Sequence, residues 1–426
     1  LVGDVAGATI ENCQAYGEVW GNWLFVGGLV GYNSLGTISN SSFAGEVNVG
    51  ANYGGGLAGR ASGTVSNCST EGTVNGGNWV GGLIGDTMNT GSINNSTANM
   101  SVIGGSNVGG LIGENRILTD NCTSLGSVNA SDTNSGGLVG KTNSQIKNCN
   151  SSADVFTTAT TFSGGLVGFN NMAQVHNSTA WGSVNHSGNY AGGLVGRNFN
   201  GEITGSRAYG DVKGTAWIGG LAGDNTGFGI IRNSSVHGHV DGSNMVGGFV
   251  GNASGSISDS YATGYVYGNG KVGGFAGSTS GIADIERCFA TGDCNESGAT
   301  TIVGGFIGVN YGNVNNCYAQ GMAWGSSSCG GFIGANYHDI TNCYSSGPSV
   351  GSSSSHGGLI GIGTAYGASH TDCFYDNETS TQTDSDGGTG KYTDEMMQQA
   401  TFTNWDFTNI WGIYEYNTYP FLIPTA

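Results

Sequence analysis

Small or apolar residues fall at every second position along short stretches of this chain. Cys13, Ala15, Gly17 and Val19 form one such set, and Ser260, Ala262, Gly264 and Val266 another. Gln14, Tyr16 and Glu18 lie between the first set. This alternation predicts strands with one face inward and the other in water. No stripe of helical period accompanies it, and Gly and β-branched residues disfavour helix. The pattern also returns at a fixed interval. The motif Gly-Gly-(Leu/Phe)-hydrophobic-Gly occurs thirteen complete times, from Gly27-Gly28-Leu29-Val30-Gly31 to Gly357-Gly358-Leu359-Ile360-Gly361. The interval is about 28 residues, which is the signature of stacked repeats. A truncated copy, Leu1-Val2-Gly3, opens the sequence, which predicts further coils or a cap before it.

A unit of this size cannot bury its own inner face, so it must stack on its neighbours. The predicted fold is all-β: a right-handed parallel β-solenoid of about 14 coils over 1–374, with two or three strands per coil. At ~4.8 Å per rung this is a rod on the order of 65 Å long. Each coil carries a Cys or Ser slot, from Cys13 and Ser41 to Cys343 and Cys373. The residue before the slot is Asn in ten of fourteen coils, with Gly205, Asp259, Arg287 and Asp372 in the others. Asn tolerates the left-handed region, so a ladder of stacked amides at a bend is expected. The Gly pairs predict positive φ and close backbone approach at a corner.

The period stops near Tyr375, and 375–426 reads as a C-terminal capping segment. Thr393 can N-cap a short helix over Asp394–Gln399, and Phe402, Trp405, Phe407, Trp411, Tyr419 and Phe421 follow as an aromatic cluster. Such a segment covers the last strands, which would otherwise pair with other chains.

Composition narrows the function. With 83 Gly but only 3 Pro, and no Gly at every third position, the chain is not collagen. It has 29 acidic residues against 11 basic ones, a net charge of -18, which argues against nucleic acid and anionic lipid. No apolar run approaches the ~20 residues of a membrane helix, so no membrane insertion is expected. Eight of the ten Cys occupy the repeat slot, and Cys294 and Cys329 replace Val at inward positions. None has CxxC spacing, which speaks against zinc. Two readings stay open for them: buried thiols acting as small hydrophobes, or disulfides between adjacent coils, as for Cys122 with Cys149 or within Cys288, Cys317, Cys343 and Cys373.

The repeat Asn-Cys-x-Ala-x-Gly-x-Val followed by Gly-Gly-Leu-hydrophobic-Gly resembles the GLUG-motif family over nearly the whole chain. The segment Cys373-Phe374-Tyr375-Asp376-Asn377-Glu378-Thr379-Ser380 resembles the way such arrays end. The resemblance implies secreted or surface-anchored, adhesin-like proteins of bacteria and archaea. It carries no catalytic residues, so none are transferred, and the expected role is a non-catalytic extracellular or cell-surface module. Its expected partners are a host or neighbouring cell surface, glycans, or further copies and domains of the same assembly.

Two aromatic rows are the candidate platform for a ligand or partner. The slot before Val-Gly-Gly holds Phe25, Tyr53 and Trp79 in three consecutive coils, and Phe162, Tyr190 and Trp217 in three more. The slot after Cys/Ser holds Tyr261, Phe289, Tyr318, Tyr344 and Phe374, which strand parity points outward. Rows of this kind either stack to stabilise a face or offer rings to sugars. Asn185, Asn252 and Asn295 are candidate glycosylation sites away from the amide ladder. The basic residues read as scattered, with no two sharing a slot beside paired carboxylates in neighbouring coils. This speaks against a polysaccharide-degrading enzyme. Asp384-Ser385-Asp386 with Glu395 is a weak match to a calcium loop, with Thr389 at its obligatory Gly position, and reads as a turn. No cofactor is expected.

Overall fold

The structure is a computed structural model that describes residues 2–158, 161–296, 301–351, 355–363 and 368–424. The chain divides into two compact units, one of 1–215 with 221–224 and the other of 216–220 with 225–426. Both consist of parallel coils in register. In the first unit one coil runs through the strands Val30–Ser34, Thr37–Ser39, Ser42–Val49 and Gly54–Gly55. Each pairs in parallel with its counterpart one repeat on, as Val30 with Ala58, Ile38 with Val65, Phe43 with Thr70 and Gly55 with Gly81. The second unit repeats the plan, with Ile257 on Ile285, Ala262 on Ala290 and Val272 on Val303. The fold is therefore the predicted right-handed parallel β-solenoid, with at least four short strands per coil rather than two or three.

The extra strands follow from two sharp bends per coil. The residue before the Cys/Ser slot is left-handed in every coil, from φ 46° at Asn177 to 62° at Gly205. Asn adopts this region at lower cost than most side chains, hence its dominance. The amides then bond from rung to rung, as Asn67 Nδ2 to Asn40 Oδ1 at 3.2 Å and Asn121 to Asn95 at 2.7 Å. Where Arg287 and Asp259 replace two amides, a two-pronged ion pair takes over, at 2.6 and 2.7 Å. The second bend differs from expectation. The Gly pairs are not the left-handed residues; the residue before Val-Gly-Gly is, at Phe25 (63°), Tyr53 (68°) and Trp79 (56°). The glycines serve close approach instead: a Cβ on Gly28 would lie 2.3 Å from the Gly56 carbonyl oxygen.

The core consists of identical side chains stacked on one another. Leu57, Leu83, Leu111 and Leu138 are fully buried in the first unit. In the second, Phe249, Phe275, Phe306 and Phe332 stack with centroids 4.6, 4.7 and 4.9 Å apart. Each such side chain contributes roughly 1.5–3 kcal/mol by burial, but only while the rungs above and below keep water out.

All ten cysteines are free thiols. Their slot is more than a small apolar hole. The Ser178 hydroxyl donates to the His176 carbonyl at 2.8 Å and accepts from the Cys149 backbone N–H at 3.2 Å. Cys149 Sγ plays the same two parts, toward the Lys147 carbonyl at 3.1 Å and from the Cys122 N–H at 3.4 Å. Ser and Cys interchange in this slot because each is small and both donates and accepts, satisfying backbone groups the bend leaves unpaired.

At the C-terminal end the strand Thr389–Lys391 still pairs in parallel with Phe374–Asp376. The helix is one turn, Thr393–Met396, N-capped at Tyr392 rather than Thr393, and a 3-10 turn, Gln399–Thr401, follows. Glu395 takes the Tyr392 N–H at 2.9 Å, whereas the Thr393 hydroxyl turns to buried Asp376 at 2.7 Å. Among the described residues no helix is long and apolar enough to cross a membrane.

Candidate functional site

The row before Val-Gly-Gly is half-buried at each of Phe25, Tyr53, Trp79, Phe162, Tyr190 and Trp217. Tyr53 stacks on Trp79 with centroids 4.8 Å apart, and Phe25 tilts against Tyr53 at 5.1 Å and Tyr32 at 5.6 Å. The Arg60 guanidinium lies over Phe25 and Tyr53, at 5.1 and 5.5 Å from the ring centres. Phe162 meets Phe169 at 5.1 Å and Tyr190 at 5.2 Å, and Arg197 lies over Phe162 and Phe199, at 5.2 and 5.7 Å. Trp217 belongs to the second unit.

Beside these rings runs a ladder of charges. The register sets Tyr32, Arg60, Asp86, Glu114, Lys141, Phe169 and Arg197 on consecutive rungs of one side. Arg60 and Lys141 thus share a slot and flank two carboxylates, which overturns the expectation of scattered basic residues. The pattern was open to the eye: all occupy the position after the Gly that closes the repeat motif. Aligning that position coil by coil, as for the Cys/Ser slot, would have revealed it. Asp86 and Glu114 side chains are 1% and 5% exposed. Arg60 Nε lies 3.0 Å from Asp86 Oδ2, an ion contact without hydrogen-bond alignment. Arg116 bonds to Asp86 and approaches Glu114 at 3.0 Å, and Lys141 reaches Glu114 at 3.2 Å. Trp79 Nε1 donates to Glu114 at 2.7 Å, tying the aromatic row to the ladder. Burial pushes the Asp86 carboxyl above its ordinary value, and Arg116 and Arg60 pull it part of the way back. Each acid is already neutralised, so the pair offers no open acid and base for catalysis.

The second row is built differently. Tyr261, Phe289, Tyr318 and Tyr344 stack almost parallel, at 4.8, 4.9 and 5.1 Å. Tyr261 and Phe289 are half-buried, but Tyr318, Tyr344 and Phe374 are buried. These three form one cluster with Met396, Phe402, Trp405 and Trp411 of the C-terminal segment. The Tyr344 hydroxyl donates to the Pro420 carbonyl at 2.7 Å, and burial holds its pKa well above the ordinary value. Parity directs this row away from the coil interior as expected, yet Tyr318, Tyr344 and Phe374 are no platform for a ligand. They are the surface on which the chain's own end packs.

Of the sequon residues, Asn185 is exposed and lines an outer cavity of about 470 Å³ with Ile103, Phe156 and Asn129. Asn252 is half-buried in the strand Val250–Ala253. Asn295 stands on the strand Cys294–Glu296, and Ser297 of its sequon lies outside the described residues. The acids of the calcium-like stretch are engaged separately. Asp384 takes the Ser385 N–H, Asp386 the Gly363 N–H and Glu395 the Tyr392 N–H. Among the described residues no three His, Cys, Asp or Glu are grouped to hold a metal ion.

The model of the GLUG motif matches residues 26–48, 187–213 and 242–267. The chain thus carries GLUG repeats, three of them matched by the family model. The GLUG-repeat chain is also similar to a "Putative Gly-rich membrane protein" of Evansella cellulosilytica, at 39% identity over 143 residues. That stretch covers 32% of this chain and 14% of the relative, so the chain spans a small part of that relative's length. No solved structure matches the GLUG-repeat chain.

Proposed function

We propose that this GLUG-repeat chain is a non-catalytic module of a surface-displayed protein, which attaches to its surroundings or spaces other parts from them through repetitive outward faces. The observation that carries the reading is register. Residues at one slot of successive coils stand in rows, so a weak contact made once is available on many rungs, and weak contacts in series multiply into avidity. The neutralised state of Asp86 and Glu114 supports the absence of catalysis. The similarity to a protein described as a Gly-rich membrane protein supports a place at the cell surface.

Protease shaving of intact cells, followed by fractionation, tests the location. The expected result is loss of the chain from unbroken cells with cytoplasmic markers retained. Retention of the chain inside shaved cells sinks the proposal. Deletion of the coils from the native protein is expected to reduce attachment of cells to their substratum, while turnover of polysaccharides is unchanged. Release of reducing ends from a polysaccharide panel by the purified chain would overturn the non-catalytic reading.

A further inference from the structure

The first-unit constellation occurs twice. Phe25, Tyr32, Tyr53 and Arg60 recur 137 residues later as Phe162, Phe169, Tyr190 and Arg197. The acid that meets each arginine recurs with them, as Asp86 and Asp224. The two copies lie five rungs apart on one side of the first unit, about 24 Å at ~4.8 Å per rung. In both, the arginine lies over aromatic rings and meets its acid through Nε, at 3.0 and 3.2 Å. The two terminal amino groups of each guanidinium make no hydrogen bond among the described residues, and the side chains are 24% and 30% exposed.

Three of the four rings in the slot before Val-Gly-Gly are held at a backbone cost. Phe25, Tyr53 and Tyr190 are left-handed, with φ of 63°, 68° and 67°, in a slot that Asn107 and Asn134 fill in other coils. Asn is the lower-cost occupant, so the bend itself does not call for an aromatic ring. What the rings add is a pair of apolar faces beside a guanidinium with unused donors.

We infer that the two clusters are paired subsites for a carboxylate-bearing sugar polymer, a polyuronate, gripped at two points five rungs apart. The inference rests on the surface-module reading above and names the ligand class of that face. The planar fork of arginine matches a carboxylate with two parallel hydrogen bonds. The rings face the C–H side of a pyranose, which is apolar. A polymer with a regular repeat can meet two equivalent subsites at once. The net charge of -18 repels densely charged polyphosphates and polysulfates more than a chain with one weak acid per sugar.

The test is titration of the full chain with polygalacturonate, with neutral dextran and dextran sulfate alongside. The expected result is binding of polygalacturonate that weakens with salt, with neither dextran nor dextran sulfate binding as tightly. Arg60→Gln and Arg197→Gln are each expected to lower the apparent affinity about 10- to 100-fold by removing one of two linked contacts, and the double variant to abolish it. Digalacturonate, too short to bridge the subsites, is expected to lose no more than about 2-fold on either single substitution. Arg60→Lys keeps the charge without the fork, and is expected to lose affinity with an unchanged melting temperature. No binding by the native chain, equal binding of dextran, preference for dextran sulfate, or native affinity in a folded double variant overturns the inference. A chain displayed on cells that ignores polygalacturonate sinks this inference and leaves the surface assignment standing. A chain that binds it but is absent from the surface does the reverse.

Discussion

The two aromatic rows come from the same repeat and meet opposite fates. In the first unit Phe25, Tyr53 and Trp79 stay half-buried beside Arg60, with acids and cations in register next to them. In the second unit Tyr318, Tyr344 and Phe374 disappear beneath Trp405, Trp411 and Phe402. A stack of outward rings is therefore a surface only until another segment finds it. In the first row a guanidinium lies over the half-buried Phe25 and Tyr53, whereas in the second the rings of Tyr318, Tyr344 and Phe374 form an apolar strip that the C-terminal segment dries.

The largest expected effect lies in the covered row. Trp411→Ala and Tyr344→Ala should each cost about 3–5 kcal/mol in denaturant unfolding, since each removes a fully buried ring from one cluster. Tyr261→Ala, on the same row outside the C-terminal cluster, should cost about 1 kcal/mol or less, the worth of one stacked pair. Equal losses at Tyr344 and Tyr261 would erase the distinction drawn between covered and open rungs. Next comes the ladder beside the first row. Asp86→Ala strands two arginines around a dry position and should cost about 2 kcal/mol, discounted because the guanidinium groups keep some solvent. Lys147→Ala, which removes a half-exposed pair with Asp120 at 3.3 Å, should cost under about 1 kcal/mol and is the control.

Smaller still is the Cys/Ser slot. Ser178→Ala removes both a donor and an acceptor and should lower stability by about 1–2 kcal/mol, while Ser178→Cys should lose less than half of that. A thermal melt that ranks Ala above Cys at this position would show that size alone governs the slot. The smallest effect is one of pH. His186 is buried, with Nδ1 3.0 Å from the Ser163 hydroxyl and Nε2 2.7 Å from the Asn189 carbonyl, and burial lowers its pKa. The folded state thus favours the neutral ring. Its contribution is full above the ordinary value of about 6.5 and is lost as pH falls through the lowered folded value. His186→Gln should flatten that part of the stability profile; an unchanged slope would assign the acid loss to carboxylates instead.

Much of this architecture was legible before any coordinates. The alternation at Cys13, Ala15, Gly17 and Val19 marks a strand, and Asn12 before it marks the bend, because both are properties of a few neighbouring residues. The role of the Gly pairs was half legible: a close approach was foreseeable, but the left-handed angle belongs to Phe25, Tyr53, Trp79 and several other occupants of their slot. An aromatic residue gives no local sign of positive φ. The Arg60, Asp86, Glu114 and Lys141 ladder escaped a linear reading because its members sit about 28 residues apart, and become neighbours only when coils are aligned.

What the amino-acid order alone determined is the rung: its strands, its inward set, and the necessity of like rungs on either side, since a lone unit cannot keep its inner face dry. What only the tertiary structure decided is which outward residues remain open. Tyr261 and Tyr344 have the same parity, the same slot and nearly the same surroundings in sequence. One is half-exposed and the other is dry because a segment ending near Pro420 returns over it. Exposure on an outward face is set by whatever segment folds back across it, and no pattern local to the strand records that return.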